Sequence, residues 1–307
     1  MPALRRCRGT VDEYAAVAAV HRAAAERDGR DLHSVLEPLP DAEAVAALAG
    51  LDQRVVEADG RVVGHVFLTS WLEEDGTRVI LHRGRLHPAY RGRGIGTTML
   101  GWAERRAHAL ATTATTTVLG ANAARAEPAA TALLLDHGYA PALRLGEYRL
   151  PADAALPGTP STEAEIRPVT DPTDHGRLWD LVELAYHGRP AIPVGTPAAR
   201  RRFIDRAASM TWLAAWQGSE LAGCAGLAHA PTPHLTELSV HPAFRRRGIG
   251  RALLLHALTH ARRRHPANTD IRLWTNLAGP QRAYELYESV GFQLTEEFVR
   301  YRKPMPA

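Results

Sequence analysis

Hydrophobic residues recur along the chain with two periods, every second residue in some segments and every third or fourth in others. The first period is typical of strands and the second of helices. In the first half the pattern predicts a helix near 11–27, a helical or loop segment over 31–49, a hairpin turning at Asp59-Gly60, a strand over 77–86, a helix over 95–110, a strand over 115–119, a helix over 129–137 and closing strands over 139–150.

The second half repeats this order of elements. The pattern predicts a strand over 165–169, helices over 174–186 and 197–209, strands over 211–216, 221–228 and 236–240, a helix over 249–264, a strand over 271–275, a helix over 281–290 and strands from 292 and 297. Strands and helices in this mixed order predict an α/β architecture with a partly antiparallel sheet.

Between the halves, residues 151–162 contain three prolines, a glycine and few apolar side chains, which is typical of a linker. A chain of 307 residues suits two domains of ordinary size. We therefore expect an N-terminal domain over 1–150, a linker over 151–162 and a C-terminal domain over 163–307.

One stretch of the sequence occurs twice, as Leu-His-Pro-Ala-Tyr-Arg-Gly-Arg-Gly-Ile-Gly at 86–96 and Val-His-Pro-Ala-Phe-Arg-Arg-Arg-Gly-Ile-Gly at 240–250. Pro88 and Pro242 are 154 positions apart, as are Gly94 and Gly248, so the two copies keep one register and indicate a duplication. Each copy lies between an apolar strand and a predicted helix. At such a position, backbone N–H groups, the helix dipole and arginine side chains can all act on one bound anion. We expect this anion to be a pyrophosphate.

Two rival phosphate loops do not fit these copies. A dinucleotide fingerprint needs glycine or alanine where Met99 and Leu253 stand, and the Gly-Lys-Ser/Thr of a Walker loop occurs nowhere in the chain. Arg-x-x-Gly-x-Gly after a strand ending in x-His-Pro instead resembles the acetyl-CoA loop of the GNAT acetyltransferase superfamily, present twice. The resemblance implies two tandem GNAT domains, each a mixed, mostly antiparallel sheet flanked by helices, with acetyl-CoA as co-substrate.

The resemblance also implies which residues bind the coenzyme. They are Leu238, Ser239, Val240, Arg245, Arg246, Arg247, Gly248, Ile249 and Gly250 in the second half, and Arg85, Leu86, Arg91, Gly92, Arg93, Gly94, Ile95 and Gly96 in the first.

Two residues of the second half are candidates for catalysis. Glu237 lies on the strand before the loop, where the family often places a carboxylate near the incoming amine; partial desolvation between Leu235 and Leu238 would raise its pKa. A solvated, outward-facing glutamate is the alternative. Tyr287, in Ala-Tyr-Glu-Leu-Tyr-Glu-Ser-Val-Gly-Phe, matches the position from which relatives protonate the departing thiolate, and its alternative is a packing role.

The first half lacks both groups at the matching positions. Alignment on the shared proline puts Arg83 where the second half has Glu237, and alignment on the helix-ending glycine puts Leu134 where it has Tyr287. A guanidinium cannot act as a base and leucine has no proton to give. We therefore expect the C-terminal domain to transfer an acetyl group to an amine by direct attack, and the N-terminal domain to be non-catalytic.

The composition of the chain indicates what the protein binds and in which compartment it acts. The formal charge of +4 suits a polyanionic co-substrate, and no nucleic-acid motif accompanies the arginine runs. Cys7 and Cys224 lie in different halves, and their spacing suggests neither a disulfide nor a zinc site, so we expect no metal. Two unpaired cysteines favour a reduced compartment, and we expect the protein to be cytoplasmic. No apolar run is long enough to span a membrane. The expected partner is a small-molecule or peptide amine, and the chain is expected to be a monomer (a pseudo-dimer of its domains) or a homodimer.

Two other functions remain open from the sequence. One is a non-catalytic acyl-CoA sensor or regulatory protein, and the other is a nucleic-acid-associated protein that uses its arginine runs. Steady release of free thiol from acetyl-CoA in the presence of an amine distinguishes an enzyme from a sensor. Binding that collapses with salt would favour nucleic acid.

Overall fold

A computed structural model of the chain describes residues 2–111, 116–189, 192–230, 232–279 and 281–305. The chain forms two compact units. The first consists of Met1–Leu145 together with Glu296–Ala307, and the second consists of Gly146–Thr295.

This division differs from the expected domain boundaries in three places. Residues 146–150, expected in the N-terminal domain, lie in the second unit. The last residues of the chain belong to the first unit, because Phe298–Pro304 pairs antiparallel with Ala124–Val118 there. Residues 151–162, expected as a linker between domains, lie inside the second unit. There Arg262 donates hydrogen bonds to the carbonyls of Pro151 and Ala152, so this segment is fixed to a helix in spite of its prolines.

The elements of the first half are β1 (Ala3–Arg6), α1 (Val11–Asp28), α2 (Ala42–Ala46), β2 (Gln53–Ala58), β3 (Arg61–Leu72), β4 (Arg78–Leu86), α3 (Ile95–Leu110), β5 (Thr117–Ala124), α4 (Pro128–Asp136) and β6 (Ala140–Leu150). Those of the second half are β7 (Glu165–Pro168), α5 (His175–Tyr186), α6 (Pro197–Ala207), β8 (Thr211–Gln217), β9 (Glu220–Ala228), β10 (His234–Val240), α7 (Ile249–Arg264), β11 (Ile271–Asn276), α8 (Ala283–Glu288) and β12 (Gln293–Pro304).

Each unit contains a mixed, mostly antiparallel sheet flanked by helices, as the sequence predicts. The strand order in the first unit is β1-β2-β3-β4-β5-β12, and in the second it is β7-β8-β9-β10-β11-β6. The parallel pairs are β4 with β5 and β10 with β11. Among the described residues, no helix combines the length and the apolar character needed to cross a membrane.

The predicted elements are largely confirmed, and their exceptions have physical causes. The hairpin turns at Asp59 and Gly60, whose φ angles of 51° and 71° are those of a type I′ turn. Strand β1 was not predicted, because its four residues acquire their structure by pairing with β2. The two closing strands predicted from 292 and 297 are one strand, β12. The predicted start of β5, Thr115, lies outside the described residues.

A central helix fills the core of each unit. In α7 the residues Ala252–Leu255 are buried against the sheet of the second unit, and Met99, Leu100, Ala103 and Ala107 of α3 are buried in the first. Because each central helix is held by its apolar side chains, the loop at its N-terminus has a fixed position at the end of the preceding strand.

Candidate active site

The duplicated loop of the second unit ends at the N-terminus of α7. Gly248 is the N-cap, with φ of 79°, a left-handed conformation that glycine adopts without strain. Because the N-cap is a glycine, it has no side chain that could accept a hydrogen bond from the first turn of α7. The N–H groups of the first turn and the positive end of the helix dipole can therefore attract an anion.

The loop of the first unit has the same backbone form. Gly92 and Gly94 have φ of 72° and 75°, and α3 begins at Gly94 without a side-chain cap. The backbone of either loop can therefore attract an anion.

The first arginine of each loop is committed to the protein. Arg245 donates to the carbonyls of Val240 and Ala185, each at 3.2 Å. Arg91 forms a bidentate pair with Asp28, at 2.5 and 2.8 Å. These two arginines, expected from the sequence to contact the coenzyme, anchor the loops to the rest of their units. Arg247 lies over the Phe244 ring, 5.4 Å from its centroid.

Arg246 has φ of 65°, a left-handed angle that costs a non-glycine residue about 1–2 kcal/mol. Its side chain is exposed, and the matching residue 154 positions earlier is Gly92. We expect Arg246→Gly to raise the free energy of unfolding of the second unit by about 1 kcal/mol, measured by urea denaturation. The reciprocal Gly92→Arg should destabilise the first unit. Lower stability of Arg246→Gly would show that the Arg246 side chain stabilises the loop.

A cavity of about 660 Å³ opens beside this loop within the second unit. It is lined by Ser161, Thr162, Glu163, Ala164, Gln217, Arg247 and Ile249. Ser161 and Thr162 are the last residues of the expected linker and Glu163 and Ala164 follow it, so this part of the chain lines the cavity beside the loop. The sequence carried no signal for this, since a polar, proline-rich segment indicates only irregular structure.

Glu237 lies on β10 just after a β-bulge, which interrupts the pairing of β10 with β9 between Leu235 and Glu237. One carboxylate oxygen accepts hydrogen bonds from the Ser239 hydroxyl at 2.7 Å, the Leu238 backbone N–H at 3.1 Å and the Tyr186 hydroxyl at 3.2 Å. Burial raises the pKa of Glu237, although the bonds from Ser239 and Tyr186 act in the opposite direction. A carboxylate in this state can take a proton from an ammonium or amine.

The Leu238 N–H donates to the Glu237 carboxylate and so helps to position it. His234 of β10 pairs with Arg272 of β11. After His234, the described residues of β10 pair only with β9. This opening between β10 and β11 leaves one edge of β10 available to a ligand.

Tyr287, on α8, is buried close to Glu237. Burial raises the pKa of its phenol, and the charge of Glu237 raises it further. Its hydroxyl forms no hydrogen bond with the described residues. A phenol in this environment retains its proton until a strong base such as a thiolate is present, so the structure brings together the two residues that the sequence singled out.

Tyr186 and Arg189 complete the site, and the sequence analysis missed both. Tyr186 donates to Glu237, and the charge of that carboxylate is the main cause that raises the pKa of Tyr186. The Arg189 guanidinium lies over the Tyr186 ring, 4.6 Å from its centroid. The pKa values of Glu237, Tyr186 and Tyr287 are all raised, and the positive charge of Arg189 partly opposes each increase.

The matching region of the first unit is built differently. Strand β4 pairs with β3 without a bulge from Arg78 to Leu86, and Arg83 stands where the second unit has Glu237. Leu134 is buried in the core in place of the tyrosine. Neither residue can exchange a proton with a substrate.

A comparison with known protein families matches each half of the chain separately. The profile of the "Acetyltransferase (GNAT) family" matches residues 24–138 and again 177–292. The chain belongs to this family. It is an acetyltransferase with two GNAT domains in tandem.

Of two relatives, one matches nearly the whole chain and the other matches about a third of it. The sequence is 31% identical over 305 residues to the mycothiol acetyltransferase of Salinispora arenicola, covering 95% of this chain and 93% of that protein. It is also 32% identical over 98 residues to an uncharacterized N-acetyltransferase, YsnE, of Bacillus subtilis, covering 31% of this chain and 64% of that protein.

Two solved structures share the fold along its full length. A GCN5-related N-acetyltransferase from Sphaerobacter thermophilus superposes with a TM-score of 0.78 at 22% identity, covering 99% of this chain and 95% of its own. A tandem GNAT protein from the clavulanic acid biosynthesis pathway superposes with a TM-score of 0.74 at 17% identity, covering 100% of both chains.

Proposed function

We propose that the protein moves an acetyl group from acetyl-CoA to the amine of an acceptor, and that the second unit performs the transfer. The observation that carries the proposal is the meeting of Glu237 and Tyr287 beside the opening between β10 and β11. The loop at Gly248 lies at the end of the same strand. The candidate proton acceptor, the candidate proton donor and the candidate coenzyme loop therefore all lie on β10 or next to it.

Acetyl-CoA supplies the activated acetyl group in this proposal. The Gly248 loop and the first turn of α7 would hold its pyrophosphate through backbone N–H groups. Glu237 takes the proton of the attacking amine, directly or through water, while Ser239 and Tyr186 hold its carboxylate in place. Tyr287 gives its proton to the departing thiolate. Fixing the two reactants side by side contributes much of the acceleration.

The Tyr287 hydroxyl can be tested by a minimal change. Tyr287→Phe should lower kcat by about 10²-fold, the usual scale for one acid–base group, with little effect on acetyl-CoA affinity. Steady-state kinetics and calorimetry measure the two quantities. Tyr284→Phe, on the same short helix, is the matched control and should leave kcat unchanged. An unchanged kcat in Tyr287→Phe, with chemistry rate-limiting, would assign Tyr287 to packing alone.

The chemistry of the site supports an amine as the acceptor. A carboxylate base beside a phenol suits an amine, and the relative from Salinispora arenicola is named for mycothiol acetylation. A panel of primary amines that includes the acceptor of that enzyme, assayed for free thiol release from acetyl-CoA, tests the proposal. We expect at least one amine to give steady turnover. Coenzyme binding without turnover for any amine would favour the sensor function instead.

A further inference from the structure

Trp274, on β11 of the second unit, presents an uncovered aromatic ring. In the described part of the chain it is the one tryptophan, tyrosine or phenylalanine that lies exposed, and it is 42% exposed. The other five tryptophans each have a guanidinium group or an aromatic ring close to their own ring; they are Trp71, Trp102, Trp179, Trp212 and Trp216. Among the described residues Trp274 has no such partner, so its indole is available to a ligand.

The alternation of β11 turns Trp274 to the face of the sheet that carries Glu237. Leu273 is buried in the core that α7 fills, so Trp274 points to the opposite face. On β10, Leu238 packs against that same core. The next residue back, Glu237, accepts a hydrogen bond from Tyr186 of α5 on the opposite face. The exposed indole and the candidate base therefore share one face of the second unit.

The β-bulge brings Glu237 level with Trp274. His234 pairs with Arg272, and Trp274 is two residues further along β11. His234 and Glu237 are three residues apart, but their partners on β9 are only two apart because of the bulge. Adjacent strands lie about 5 Å apart where they pair, and side chains at one level on one face are neighbours. Trp274 therefore stands opposite Glu237 across the opening between β10 and β11.

The charges of the site indicate which ligand suits this indole. An exposed tryptophan ring binds either a cation or another ring. The Arg189 guanidinium lies over the Tyr186 ring, and its positive charge acts on Glu237 and on Tyr287. An acceptor with a second positive charge would be repelled by Arg189, whereas an uncharged ring would not.

We propose that Trp274 selects an acceptor amine that carries an uncharged ring close to its nitrogen. The ring stacks on the indole while the nitrogen reaches Glu237 on the neighbouring strand. The inference rests on the proposed transfer by the second unit, because that transfer places the acceptor nitrogen at Glu237. Both an aromatic ring and a sugar ring offer an apolar face of suitable size, so the test includes one of each.

Calorimetry in the presence of coenzyme A, which has no acetyl group to transfer, measures acceptor binding apart from turnover. The probes are benzylamine and glucosamine, which carry rings, and n-butylamine and 1,4-diaminobutane, which do not. We expect a ring amine to bind about tenfold more tightly than n-butylamine, the scale of one stacked ring, and the diamine to bind no more tightly than n-butylamine. The tighter of the two ring amines shows whether the ring is aromatic or that of a sugar.

Substitution of Trp274 tests whether the indole causes this preference. Trp274→Ala should remove the preference for a ring, and Trp274→Phe should retain most of it. His256→Ala, which changes an exposed residue of α7 on the other face of the sheet, is the matched control and should bind as the wild type does. If Trp274→Ala does not fold, as judged by circular dichroism, Trp274→Leu gives the same comparison with an apolar side chain that has no flat ring.

The proposal is overturned if neither ring amine binds more tightly than n-butylamine, or if the preference persists without the indole. Free thiol release from acetyl-CoA separates this failure from that of the proposed function. Turnover of amines without any preference for a ring would retain the transfer and overturn the role of Trp274. A preference that Trp274→Ala removes, without turnover of any amine, would retain the ring site and overturn the transfer.

Discussion

Glu237→Gln should lower kcat/KM by about 10²- to 10⁴-fold, the range found when one general base is lost. The amide is nearly the same size and still accepts hydrogen bonds from Ser239 and Tyr186, but it cannot take a proton. The loss should therefore fall on the chemical step. Steady-state kinetics under conditions where chemistry limits the rate provide the measurement.

The pH profile gives a second readout of the same variant. Because burial raises the pKa of Glu237 above its ordinary 4.5, kcat/KM of the wild type should fall as pH decreases through that raised pKa. This limb should be absent from Glu237→Gln. Glu220→Gln, which removes an exposed carboxylate of β9, should keep both the rate and the limb. Retention of wild-type kinetics and profile by Glu237→Gln would remove Glu237 from the mechanism.

Gly248→Val should abolish turnover, whereas Gly94→Val should leave much of it. The two glycines have nearly equal φ angles, 79° and 75°, and a Cβ added to either meets nothing within 4 Å. The conformational cost of a β-branched residue is thus the same at both positions. Only the second loop serves the unit that contains Glu237 and Tyr287, so kcat/KM should fall about 10²-fold or more in Gly248→Val alone.

Gly218→Val controls for strain within the second unit. This glycine has φ of 62° in the turn between β8 and β9, and its added Cβ is also free of contacts. The variant should lose stability without losing turnover. If Gly94→Val were the inactive variant and Gly248→Val remained active, the first unit would be the catalytic one.

Local rules explain why the sequence predicted the loops so well. Proline and left-handed glycine restrict the backbone wherever they occur, and the helices behind the loops have clear apolar periodicity. The helices 95–110 and 249–264 therefore begin and end where they were predicted. The pairing of the C-terminal strand with β5 depends on contacts between residues far apart in sequence, which no local pattern encodes.

The candidate site shows the same limit at the level of single residues. Glu237 and Tyr287 could be found because they stand at fixed distances from the loop and from the helix-ending glycine. Tyr186 and Arg189 occupy the end of α5 and the segment after it, where no motif marks them. The partners of Arg91 and Arg245 within the protein could not be predicted either, because charge and position alone do not reveal which groups a side chain contacts.

The most direct test of the account follows the acetyl group itself. The protein is incubated with acetyl-CoA carrying an isotopic label in the acetyl group and with the amine that gives the fastest thiol release, and the products are separated for mass spectrometry. We predict that the label appears on the nitrogen of the acceptor, one acetyl group for each coenzyme A released, and that Gly248→Val prevents this transfer. Label recovered only as free acetate or on the protein, or transfer that persists in Gly248→Val, would contradict direct transfer to an amine by the second unit.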